Sequence, residues 1–465
     1  MPHKFTVKYV ITIVVPEIGR LLLMQPESVS KFVSSTPTTK RRPFESAPGA
    51  VDYWEAALSV GFPAALWRLP NQQDKHLIVS LDDVLPRVSA DLEELPAGFI
   101  ISPFDNLARS MHVEAQPDEH LDTTDYVPQT LFLRADIQAT FSGNSSLTNR
   151  PAHSTNSSAK AEQFWQAVRK AIATGNQPIL SSPVALDEPH AQEQYIQNVA
   201  EAVEAMQRGE FRKVVLSRTK QVLFADAPNA VALFDKLCDK YPNAFVSAVS
   251  IPEKGQIWIS ATPERLVSQN ADGIFQTAAL AGTQSAFNPD GTAKRPAEAM
   301  WSQKEIEEQA IVCRYIIECF KKIRLREYIE EGPKSVVAGN LMHLGTSFTV
   351  DTQAVRYPQL GTVMLRLLHP TSAVCGTPRD VAFRFIQQHE AHDREFYSGF
   401  LGPVNIDTNQ EGPSNHIFVH IRCMKLEGKQ ATLYAGAGIT EDSVPEREWQ
   451  ETEMKCQTLL SVMIE

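Results

Sequence analysis

Apolar and polar positions fall into blocks along this chain, some with the alternation of strands and some with the wider spacing of helices. Residues 433–455, LYAGAGITEDSVPEREWQETEMK, show both in succession. The first half reads as a strand end running into a Gly-Ala-Gly turn. The second reads as a helix with Ser443 and Pro445 at its mouth. Glu448, Glu451 and Lys455 then share one face, and Trp449, Thr452, Cys456 and Leu459 form the stripe that docks on the core. The clearest helix covers 301–323, with Ile306, Ala310, Cys313, Ile317 and Phe320 as its expected buried stripe. Shorter helical patterns cover 54–60, 164–173, 230–241 and 380–390, and another runs from Tyr195 through Met206 to a stop at Gly209. Strand patterns cover 62–69 with 75–80, 213–223, 244–251 with 257–261, 266–268 with 274–281, and 335–338 leading to His343. Residues 417–425 and 431–435 form a further hairpin through Gly428. Hairpins separated by long helices predict an α+β fold of large, mostly antiparallel sheets packed with flanking helices, and exclude an alternating βαβ chain.

Composition narrows the setting. Hydrophobic residues make up 43% of 465 and charged residues 21%, enough for a sizeable core. A net charge of −11 argues against nucleic-acid or anionic-membrane partners. Six scattered cysteines without C-x-x-C spacing predict reduced thiols in a cytoplasmic protein. The apolar run 9–15 is too short to span a bilayer and is followed by Pro16, Glu17 and Arg20. Residues 1–50 read as a flexible tail, 51–160 as an N-terminal part ending in a Ser/Thr/Asn-rich loop from 142, and 161–465 as the catalytic part.

Several side chains are candidates for chemistry. Glu305 with Glu308, and Glu448 with Glu451, are two E-x-x-E pairs on long helices. Facing one another, they would offer oxygen ligands suited to Mg²⁺; glutamates also gather in first helical turns for dipole reasons alone. Lys213 opens an apolar strand, where burial would lower its pKa and make it a general base, unless it snorkels at the strand end. Glu264 follows a buried-looking strand and could donate a proton, or it could pair with Arg265 in a surface turn. Arg422 lies in an otherwise apolar strand, a place where an arginine meets an anion. Residues 389–392, His-Glu-Ala-His, lack zinc-protease spacing and read as polar surface at a helix end. Phosphate-loop, dinucleotide and serine-hydrolase motifs are absent.

From about residue 190 onward the chain resembles the chorismate-utilising enzymes, which include the isochorismate, salicylate, anthranilate and aminodeoxychorismate synthases. The resemblance rests on FRKVVLSR (211–218), SATPERLV (260–267), ALAGT (279–283), KEIEEQAIV (304–312), MHLGT (342–346), HPTSAVCGTP (369–378), REFYSGFLG (394–402), IRCMKL (421–426), YAGAGI (434–439) and EWQETEMK (448–455). It implies an anthranilate synthase component I-like fold, chorismate as substrate and Mg²⁺ as cofactor. Glu308 and Glu451 would be the metal ligands, with Glu305 and Glu448 as outer carboxylates. Lys213 would be the base and Glu264 the acid. Ala281, Gly282, Thr283, His343, Ala373, Arg422, Gly436, Gly438 and Lys455 would contact substrate. Within the family, Lys213, Ala281 and Ala373 resemble the isochorismate synthases, whose product leads to menaquinone or to siderophores; salicylate synthase and anthranilate synthase component I are the alternatives. No obligatory protein partner is expected. Gln309 and Gln284 depart from a histidine and an arginine common in the family.

Overall fold

The structure is a computed structural model that describes residues 48–107, 129–142, 159–174, 182–186, 188–288, 290–338, 341–408 and 411–463. The tail expected at 1–50 lies almost wholly outside those residues, as does most of the expected loop from 142.

Two large antiparallel sheets face each other. The first contains, among others, Ala64–Arg68, Lys75–Val79, Lys213–Leu223, Phe245–Ile251, Gln256–Thr262, Cys423–Glu427 and Gln430–Ile439. The second contains Gly98–Ser102, Arg265–Gln269, Ile274–Ser285, Ile329–Ala338, Leu341–Asp351, Phe400–Val404 and Asn415–Val419, with further short strands. Both faces of both sheets are covered. Between them lies an aromatic core that includes Trp67, Phe99, Trp258 and Phe418. Phe245 of one sheet stacks on Phe418 of the other at 4.2 Å. Helices Ala50–Val60, Ala159–Thr174, Ala230–Lys240 and Pro445–Met463 cover the outer face of the first sheet. Helices Gln303–Lys322 and Leu360–Leu368 cover that of the second. Alternation along the strands explains this double burial: Ala65 and Trp67 point to the central core, Ala64 and Leu66 to the outer one.

Of the places where the chain passes between the sheets, two neighbouring ones position the site. The first is 263–264, between Gln256–Thr262 and Arg265–Gln269. The second is 420–422, between Asn415–Val419 and Cys423–Glu427. Ser260 pairs with Cys423 in one sheet and Arg265 with Phe418 in the other, so the crossings run side by side. The Val419 N–H donates to the Glu264 carbonyl at 2.9 Å and the Ala261 N–H to the Arg422 carbonyl at 3.1 Å.

This corrects the single strand expected over 417–425. The apolar run is continuous, but the backbone turns at Arg422 with φ 50, a left-handed conformation costly for a residue with a Cβ. A second correction concerns helix Gln303–Lys322. Ile306 is 46% exposed, and the buried stripe is Gln309, Val312, Ile316, Cys319 and Phe320. Glu305 and Glu308 continue that stripe toward the helix start. The inward face is therefore polar at one end and apolar at the other, and an apolar-only stripe misjudged its rotation. A third concerns Ser443. It lies before helix Pro445–Met463, but its hydroxyl accepts from the Thr440 N–H at 3.1 Å and so closes the preceding turn.

Candidate active site

A cavity of about 370 Å³ opens where the crossings, both sheets and two helices meet. Its lining includes Lys213, Glu264, Ala281, Gly282, Glu305, Glu308, His343, Ala373, Arg422, Gly436, Gly438, Glu451 and Lys455. These residues come from nine separate stretches of sequence, and the sheet register helps to bring them together. Strand Gln430–Ile439 pairs with strand Lys213–Leu223 so that Gly438 lies opposite Val215 and Gly436 opposite Ser217. A Cβ on Gly438 would stand 3.1 Å from Lys213 Cε, so the absence of a side chain there leaves room for the lysine.

Glu448 is the exception. It is 4% exposed on the same helix as Glu451 but does not line the cavity. Burial, and after it the nearby Glu448, raises the pKa of Tyr195, whose hydroxyl donates to the Leu216 carbonyl at 3.3 Å. One helical face was too broad a criterion: three residues along the helix are about 300° around it, enough to turn one carboxylate from the cavity. The Thr283 side chain lies outside the described residues. Tyr397 and Tyr434 also line the cavity, although no role was assigned to either from sequence. The motif holding Tyr397 was visible, but nothing in its spacing said which side chain faces inward.

Burial acts on the two acid–base candidates in opposite directions. Lys213 is 6% exposed, and desolvation lowers its pKa, against the pull of Glu308. Desolvation pushes the Glu264 carboxyl up from 4.5 to about 7, against the opposing effects of Lys213 and Arg422. The Glu264 backbone is fixed by its own N–H, which donates to Thr262 Oγ1 at 3.2 Å. His343 Nδ1 lies 2.8 Å from the Gly282 carbonyl, which can only accept, so Nδ1 carries the proton. Burial holds this ring neutral, with its pKa down to about 4.

Lys455 Nζ donates to the Gly436 carbonyl at 2.7 Å and pairs with Glu451 Oε1 at 2.7 Å. Arg422 Nη1 donates to Thr458 Oγ1 at 3.2 Å, which holds the guanidinium to the helix that bears Glu451. Glu305 is engaged in a capping box: its Oε2 accepts from the Ser302 N–H at 2.7 Å while Ser302 Oγ accepts from the Glu305 N–H at 3.4 Å. The S-x-x-E spacing at 302–305 is the sequence signal for this cap. Gln309 Nε2 donates to Thr346 Oγ1 at 3.0 Å and to the Ala279 carbonyl at 3.3 Å, seating the helix beside Glu308.

Glu305, Glu308 and Glu451 supply carboxylate oxygens from two helices to one cavity. Among the described residues, no group of three His, Cys, Asp or Glu side chains is gathered closely enough to hold a metal ion. The donor set suits a hard divalent ion that takes one or two carboxylates and fills its shell with water and substrate oxygens, and not a caged ion. Arg422 and Lys455 share the cavity with these three carboxylates, so an added divalent ion would help to balance the charge of an anionic ligand.

The chain belongs to the chorismate binding enzyme family, whose pattern it matches over residues 96–464. The vibriobactin-specific isochorismate synthase of Vibrio cholerae is 26% identical over 345 residues, covering 74% of this chain and 76% of its own. The isochorismate synthase EntC of Escherichia coli is 30% identical over 268 residues, 57% of this chain and 66% of that one. The solved structure of MenF, the menaquinone-specific isochorismate synthase of Escherichia coli, superposes with a TM-score of 0.66 over 91% of this chain and 93% of that one. At 23% identity this likeness shows the fold, α+β with large antiparallel sheets, as expected from the hairpin pattern.

Proposed function

We propose that this chain is an isochorismate synthase that converts chorismate to isochorismate with Mg²⁺ as cofactor. The observation that carries the reading is Lys213 and Glu264 on one cavity, with burial lowering the amine and raising the carboxyl. The names and similarity of the relatives support the choice of reaction within the family.

Arg422 and Lys455 hold the enolpyruvyl carboxylate. Glu308 and Glu451, with Glu305 nearby, would hold the ion, which when bound would supply Lewis-acid polarisation and charge balance for the substrate. Neutral Lys213 takes a proton from the water that attacks C2. Glu264 gives its proton to the C4 hydroxyl, which leaves as water while the ring double bonds shift. One C–O bond forms and one breaks, and no oxidant or reductant is required. Each of the two groups contributes about 10²–10⁴-fold. Neutral His343 presents no charge to the ring end. Ala373 lines the cavity without a hydroxyl that could assist loss of the pyruvyl group.

The six cysteines are unpaired, which supports a reducing, cytoplasmic setting. No helix among the described residues is long and apolar enough to cross a membrane. The test is product analysis: purified protein, chorismate and Mg²⁺, without ammonia. Isochorismate without pyruvate is expected; salicylate with pyruvate, or dependence on added ammonia, would replace this reading.

A further inference from the structure

We infer that Glu390 and Arg394 are positioning residues for the Lys213 amine, because together they complete the edge of the strand that carries it. The inference rests on Lys213 having the role given above.

Strand Lys213–Leu223 has one edge paired with Gln430–Ile439 from Leu223 to Val214. Its other edge is poorly served. Lys213 and Val214 pair with Thr377 and Gly376, and Val222 and Leu223 pair with Ala185 and Val184. Between those ends, Val215 and Ser217 direct their peptide groups into buried protein, where unpaired groups are costly. Val215 N–H donates to the Cys375 carbonyl at 2.8 Å. Beyond that point side chains take over. Arg394 Nη2 donates to the Val215 carbonyl at 2.7 Å and Nη1 to the Val374 carbonyl at 2.9 Å. Glu390 Oε1 accepts from the Ser217 N–H at 2.6 Å and from Ser217 Oγ at 2.9 Å. Donor and acceptor alternate along this edge as a neighbouring strand would present them.

The two side chains are joined at 2.6 Å and are 4% and 3% exposed. The His392 ring lies 3.1 Å from Ser217 Oγ, and the Arg394 guanidinium stacks over Phe104 at 4.3 Å. This corrects the polar-surface reading of 389–392 in part: the Glu390 side chain is buried and His392 is partly buried, while Ala391 is exposed. Neither partner of the ion pair lines the cavity, but Val215 and Val374, whose carbonyls Arg394 holds, both do. Lys213 is two residues from Val215, and Ala373 is adjacent to Val374. A buried ion pair adds little net stability over apolar replacements. Its distinctive effect here is to fix the distance between the strand of the base and the 371–375 turn.

The test uses the full chain with Arg394→Met, Arg394→Lys and Glu390→Gln. In folded Arg394→Met, kcat for chorismate is expected to fall about 100-fold, the loss typical of a misplacement near 1 Å, while KM is unchanged. Arg394→Lys, which keeps a charged donor, restores part of kcat. Unchanged kcat in folded Arg394→Met, or a rise in KM alone, overturns the inference. Where Arg394→Met does not fold, Glu390→Gln and Arg394→Lys are held to the same kcat-against-KM criterion. A second readout is independent of the substrate: amine-reactive labelling of Lys213 relative to exposed Lys429, read by mass spectrometry. If the wild type fails to convert chorismate, the functional reading fails, and labelling still decides positioning. A changed Lys213 ratio in the variants supports it and an unchanged ratio overturns it.

Discussion

Replacing Glu264 by glutamine should make the protein more stable and catalytically inert, and the gain should depend on pH. The carboxyl is pushed up from 4.5 to about 7 in the folded chain, chiefly by desolvation. A folded pKa above the unfolded one means that stability is fully present below pH 4.5 and is lost as pH rises through about 7. At about 1.4 kcal/mol per unit, the ceiling on that loss is about 3 kcal/mol. Protein surrounds the carboxyl on most sides, yet solvent in the cavity still reaches it. Screening therefore reduces the effect to about 1–2 kcal/mol. Urea unfolding of wild type and Glu264→Gln at pH 4 and pH 8 measures it. The two proteins should match at the lower pH and diverge at the higher, with glutamine the more stable and the divergence developing between pH 4.5 and about 7. Equal differences at both pH values, or a less stable variant at pH 8, would refute the claim that burial holds this group poised as an acid.

Gly438→Ala places a Cβ 3.1 Å from Lys213 Cε and 3.5 Å from its Nζ. The amine has to move, so kcat should drop by up to about 100-fold. Because the neighbour is the end of a flexible side chain, thermal stability should change by no more than about 1 kcal/mol; full activity would show that the lysine position is immaterial. Chelation should abolish turnover, and added Mg²⁺ should restore it in the wild type but not in Glu308→Gln or Glu451→Gln. Activity undiminished in excess chelator would remove the ion from the account.

Much of the architecture was legible because its strands are bounded by recognisable turns. The strand over 213–223, the hairpin of Phe245–Ile251 with Gln256–Thr262, and the helix ending before Gly209 follow from local pattern alone. Gly98–Ser102, Thr130–Arg134 and Phe400–Val404 are not marked in the sequence, because they are short, almost wholly buried runs without alternation. The crossing at Arg422 is unmarked for a different reason. Sheet membership is decided by long-range pairing, and nothing in the run IFVHIRCMKL marks where one sheet ends. Candidate site residues were named chiefly through family motifs; local chemistry left Lys213 and Glu264 with bland alternatives. Their gathering at one cavity depends on strand register and on two adjacent crossings, which no single stretch encodes. Glu448 illustrates the converse, since spacing on a helix narrows orientation without fixing it.

The central claim is that Lys213 activates a water molecule against one side of the ring while Glu264 releases a hydroxyl from the other. Turnover of chorismate in heavy-oxygen water, followed by mass spectrometry of the product with the position of the label assigned, tests it directly. The account predicts one solvent oxygen at C2 in the first product formed, with the original C4 oxygen lost to solvent. Product that retains the substrate's own oxygen at C2 would contradict it, since the hydroxyl would then have migrated without a solvent water for Lys213 to activate.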